Sequence, residues 1–147
     1  MEKQKEKLQY FYVINVKLKS KKTNQDLKPS DYTRLFNAVY IKRIHESSSN
    51  TKHCILKNLF TEKDENGKIQ FLNGILAQFT YIENEKWFDI EALDIDEEFK
   101  IPNGLFPDTK MTEYIFIPNI HRFAYKTNSN FYASPYTIKK ISRNSFE

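Results

Sequence analysis

Four side chains in the middle of the chain have the types and spacing of a metal-dependent nuclease core: Asp89 and Glu91, then Glu98-Phe99-Lys100. Carboxylates two residues apart on a strand project from one face, as paired Mg²⁺ ligands would. A lysine just beyond a glutamate can stabilise charge at a scissile phosphate. The same residues, with Asp94, Asp96 and Glu97, read equally as a solvated or partner-facing acidic edge. A second pair, His121-Arg122, has the chemistry to act on phosphate, the imidazole as acid and base and the guanidinium as clamp. An unpaired strand histidine more often faces solvent or caps an aromatic cluster. His45 is expected at a helix end, where an imidazolium opposes the helix dipole, and His53 at a strand start beside Cys54.

Most other chemistries lack their residues. No pair of histidines has helical metal-ligand spacing, and neither Arg34 nor Arg43 is followed by a histidine with four to six residues between them, as one class of bacterial ribonucleases requires. Cys54 is the single cysteine, which excludes an intrachain disulfide and leaves zinc only His or carboxylate ligands. With three glycines and no phosphate-loop, nucleophile-elbow or dinucleotide fingerprint, NTPase, hydrolase and nicotinamide readings lapse. No catalytic residue, metal ligand or cofactor is assigned. The expected protein is a binding module rather than an enzyme.

Charge points to a bipolar surface. The net charge is +4, and Lys and Arg number 23, of which only four are Arg. Arg is the better bidentate phosphate ligand, so composition is favoured over a nucleic-acid footprint as the source of the lysine excess. Residues 1–30 are basic, whereas residues 83–98 hold eight acids against Lys86. The candidate nucleic-acid contacts are Lys17, Lys19, Lys21 and Lys22 after the first strand, with Lys139, Lys140 and Arg143 on the last helix. If the two clusters meet in space they form one electrostatic footprint.

The elements that must position these residues follow from hydrophobic period. The 147 residues read as one domain, with residues 1–8 frayed. Tyr10, Tyr12, Ile14, Val16 and Leu18 line one face of a first strand. A helix capped by Ser30 or Asp31 runs to about His45, burying Leu35, Phe36, Val39 and Tyr40, and residues 47–50 form a loop. Strands follow at residues 53–61 and 69–82, joined by a type I′ hairpin at Asn66-Gly67, with a bulge at Gly74. A strand over residues 87–95 begins at Trp87, the sole Trp, placed at a hairpin base and taken as a candidate functional residue with His121 and Arg122. Two more strands, residues 112–117 and 120–126, turn at Pro118-Asn119, and residues 127–130 form a loop. Ser134-Pro135 caps a final helix with Ile138 and Ile141 inward.

The sum is an α+β fold: about six mostly antiparallel strands, a helix after strand 1 and a C-terminal helix, both helices on one sheet face. The order strand–helix–strand–strand is that of half an RNA-recognition module, with Tyr10, Phe11, Tyr12, Phe79 and Tyr81 as candidate stacking rings. The Gly74–Phe79 run offers a single aromatic, however, in place of the module's Gly-aromatic-Gly-aromatic pattern, and core packing is the default for these rings.

Several segments together resemble a bacterial family known as domain of unknown function 4747: residues 12–18, Gly74-Ile75-Leu76 with Phe79, Trp87-Phe88, residues 101–107, His121 with Phe123 and Tyr125, and Ser134-Pro135. The resemblance implies a bacterial accessory gene of the kind found in mobile elements and phage defence. The family looks typically longer, which suggests a shortened form of a longer protein. It implies no catalytic residues. A protein partner or self-association is expected, with nucleic acid as the alternative ligand. With no leader and no apolar run near the ~18 residues of a membrane span, a cytoplasmic setting without membrane contact is expected.

Overall fold

The computed structural model describes residues 10–82, 86–100, 102–127, 131 and 134–144. Residues 1–8, where fraying is expected, residues 128–130 of the expected loop, the acids at 83 and 85, Ile101 and the side chains of Tyr10 and Arg143 lie outside the described residues.

Two helices lie against one face of an antiparallel sheet. The strands are β1 (Tyr10–Asn15), β2 (His45–Ser47), β3 (Lys52–Leu56), β4 (Phe60–Lys63), β5 (Ile69–Thr80), β6 (Trp87–Asp89), β7 (Asp94–Asp96), β8 (Lys110–Ile117) and β9 (Arg122–Thr127); the helices are α1 (Pro29–Ile41) and α2 (Pro135–Asn144). The main sheet path has six strands, β1-β9-β8-β5-β3-β2, and β4 continues the β3 side of β5 to make seven. The α+β architecture, the helix after strand 1 and the C-terminal helix are as the sequence predicts.

The covered face is ring-rich. Tyr32, Phe36, Phe116, Phe123 and Tyr125 are all within 2 % of fully buried. Phe36 and Phe116 sit 4.8 Å apart, and Tyr114 stacks on Phe123 at 5.3 Å. Val39 of α1 and Ile138 and Ile141 of α2 close this layer. Each such ring removes enough apolar surface from water to supply about 1.5–3 kcal/mol.

Several local expectations are corrected. Lys28, not Ser30 or Asp31, caps α1: Pro29 takes the first helical position, and the Asp31 carboxylate accepts a 3.0 Å bond from the Lys28 N–H. That bond, with Arg34 beside it, lowers the Asp31 carboxyl below its usual range. The helix stops at Ile41, because Arg43 turns left-handed (φ 54) and the Ile44 N–H closes back on the Val39 carbonyl at 3.1 Å. That early stop frees His45–Ser47 to pair with β3, a strand absent from the sequence reading.

Asn66-Gly67 does sit in a hairpin, but only Gly67 has positive φ, so the turn is not type I′. Gly74 pairs in unbroken register with Tyr114. The irregularity lies across from it, where residues 57–59 break the ladder between β3 and β4. A Cβ on Gly74 would stand 2.3 Å from the Asn58 carbonyl oxygen, which itself accepts the Tyr114 hydroxyl at 2.9 Å. The continuous strand predicted over 87–95 is instead the β6–β7 hairpin. Asp89 Oδ1 accepts the Glu91 and Ala92 N–H groups, and Leu93 is left-handed (φ 56), which reverses the chain.

Candidate binding face

Strand alternation places a second set of residues on the face the helices do not cover. Phe60, Asn73, Ile115, Ala124 and Val13 form one register row running from β4 through β5, β8 and β9 to β1. In the next row Ile75 pairs with Glu113, and Lys126 with Phe11. A third row carries Met111, Ala77, Ile55 and His45. Antiparallel alternation from Tyr12 and Ile14, whose neighbours lie in the core, dictates this placement.

These rows enclose a cup of about 450 Å³ walled by Phe11 and Phe60 and floored by Asn73, Ile75, Ile115 and Ala124. Phe11 (61 %), Val13 (64 %) and Phe60 (58 %) are largely exposed. The charges that line the cup, Glu113 and Lys126, pair with each other at 3.2 Å. Asn73 Oδ1 is buried and has no hydrogen-bond partner, an acceptor left in an apolar surround. The arrangement can take up an apolar side chain between the two rings.

At the far corner of this face an aromatic group closes over the sheet. Phe106 stacks on Phe79 at 5.0 Å and lies 5.2 Å from Tyr81. The Lys52–Asp108 ion pair and the Thr80 N–H bond to the Pro107 carbonyl (3.0 Å) hold that loop down. His45 and His53 complete the group, with their Nδ1 atoms 2.8 Å apart.

The candidate residues from sequence scatter. His121 is at a left-handed turn position (φ 55), and its Nδ1 shares a 3.1 Å hydrogen bond with the buried Tyr32 hydroxyl, which also accepts the Leu18 N–H at 2.7 Å. It therefore joins the first strand's exit to α1. Arg122 is exposed and bonds the Asn15 side chain at 2.7 Å, away from the His121 imidazole's partner. Trp87 opens the β6–β7 hairpin and contacts Phe99 at 5.2 Å.

The lysine clusters do not meet. Lys17, paired with Asp26 at 3.2 Å, and Lys19, Lys21 and Lys22 leave β1 beside the 118–121 turn. Lys140 reaches Ser47 at 3.0 Å and Glu46 on β2, the opposite sheet edge, five strand spacings or roughly 24 Å away. Lys139 is exposed beside it. In the acidic hairpin, Asp89, Asp94 and Asp96 each bond nearby backbone N–H groups. No three His, Cys, Asp or Glu side chains among the described residues converge as a metal site. Burial pushes the Cys54 thiol up to about 12, so it is not a nucleophile at neutral pH.

The sequence reading did not single out the cup or the histidine pair. A signal for the cup was present: residues 10–14 are apolar at every position, whereas a strand with one solvated face alternates. For the histidines it was the Ser-Ser-Ser-Asn-Thr turn between them, which a hairpin reading would have used to bring them together.

No helix among the described residues is long and apolar enough to cross a membrane. A family described as Domain of unknown function (DUF4747) matches residues 7–147. No curated protein and no solved structure matches the chain.

Proposed function

The chain belongs to the DUF4747 family, and from that premise we propose that it is a non-enzymatic binding module that docks a protein partner on the uncovered face of its sheet. The observation that carries this reading is the character of that face. Its first row is apolar but for Asn73, its cup presents Phe11 and Phe60 to solvent, and the two charges of the second row pair with each other as Glu113–Lys126. A nucleic-acid platform needs rings backed by free positive charge. A polypeptide needs an apolar pocket for an anchoring side chain, which the cup between Phe11 and Phe60 supplies. The setting proposed with it is a cytoplasmic bacterial accessory system of the mobile-element or phage-defence kind.

The test against nucleic acid is a salt-titrated binding assay with single- and double-stranded DNA and RNA. Docking of protein alone predicts no binding at low salt, or binding without a salt slope. A steep slope that falls by about one when Lys139 or Lys140 is reversed in charge would replace this reading with a nucleic-acid one. Magnesium-dependent hydrolysis abolished by Asp89→Ala would replace it with a nuclease.

A further inference from the structure

His45 and His53 occupy diagonal positions on β2 and β3, since Ser47 lies opposite His53 and His45 opposite Ile55. Both side chains stand on the uncovered face and are half-buried. Tyr81 stacks on His53 at 4.3 Å, and His45 packs edge-on to Phe79 at 5.7 Å, so the rings are held rather than free to swing. Their Nδ1 atoms approach to 2.8 Å, where only one proton fits between them. One ring donates that proton and the other accepts it.

We propose that this pair is a two-imidazole site for a divalent late transition-metal ion of the Cu²⁺ or Ni²⁺ type. Metal–imidazole bonds of about 2.0–2.1 Å spanning this separation subtend roughly 85° at the metal. That is the cis angle of square-planar, tetragonal or octahedral coordination, whereas a tetrahedral Zn²⁺ site would have to spread the two nitrogens by about half an ångström. The donor ring passes its Nδ1 proton to solvent and takes one at Nε2, so two neutral imidazoles bind with no net proton release. Water fills the remaining positions. The nearby Lys140 ammonium is engaged by Ser47 and Glu46.

The test is titration of the purified chain with Cu²⁺, followed by electron paramagnetic resonance. One ion per chain is expected, with hyperfine coupling to two imidazole nitrogens. His45→Ala and His53→Ala should each weaken binding by more than about tenfold, as even groups behind a ligand cost that much. Circular dichroism of the metal-free variants checks their folding, and His45→Asn replaces either one that fails. Zn²⁺ should bind more weakly than Cu²⁺. Binding unchanged in the variants, a spectrum without two nitrogen couplings, or no binding at micromolar protein would overturn the proposal. None of these results bears on the Phe11–Phe60 cup.

Discussion

The two faces of one sheet use the same kinds of residue for opposite ends. On the covered face Phe36, Phe116 and Phe123 are each within 2 % of complete burial, and two helices seal them. On the other face Phe11, Val13 and Phe60 are each more than half exposed, with no element among the described residues laid over them. A sheet that needed only one core would alternate apolar with polar along β1. Apolar residues on both faces are what the proposed docking of a partner on the second face requires.

This contrast predicts unequal costs. Phe116→Ala should lower stability by about 3–5 kcal/mol in urea melts, because the ring is enclosed by Tyr32, Phe36 and Phe123 and leaves a cavity. Gly74→Ala should cost about 1–3 kcal/mol or more by the same measurement, since the new Cβ meets backbone at Asn58 that cannot move without breaking the Tyr114 bond. Tyr32→Phe should cost about 1–3 kcal/mol by leaving the Leu18 N–H without its acceptor. Phe60→Ser, on the open face, should shift stability by no more than about 0.5 kcal/mol. A large loss there would mean that the second face is a core and not a docking surface.

The pH response should separate the two faces further. The His53 imidazole ionises below its usual value because it is partly buried, and because His45 and Lys140 lie close. An unfolded chain therefore takes up a proton at this ring before the folded one does. Its contribution to stability is complete above about pH 6.5 and is lost as pH falls through the folded value. Urea melts from pH 7.5 to 5 should show the decline, and His53→Gln should flatten it. An equal slope in the variant would place the pH sensitivity elsewhere.

Where sequence period and tertiary structure agree, the fold was legible. β5 runs unbroken over Ile69–Thr80 within the strand expected at residues 69–82, and Ser134 accepts the Thr137 N–H at 3.3 Å ahead of α2 as its Ser-Pro pattern predicts. Where period continues through a turn, it misled. Trp87, Asp89, Glu91, Leu93 and Ile95 keep strand spacing, yet Leu93 turns left-handed without the Gly or Asn that would announce it. Arg43 hides the end of α1 in the same way, and with it the β2 strand that carries His45. The uncovered face was least legible, because its cup depends on the register of five strands, and register is set by long-range pairing rather than by any local motif.

The most direct test of docking on the uncovered face is site-specific photo-crosslinking in the cells that make the protein. A photoreactive residue at Val13, beside the cup, should give a discrete protein adduct, a second copy of the chain included. The adduct should vanish when Phe60→Asp is added and should not form from Lys139 on α2. Absence of an adduct at Val13, an adduct indifferent to Phe60→Asp, or one removed by nuclease would contradict the account.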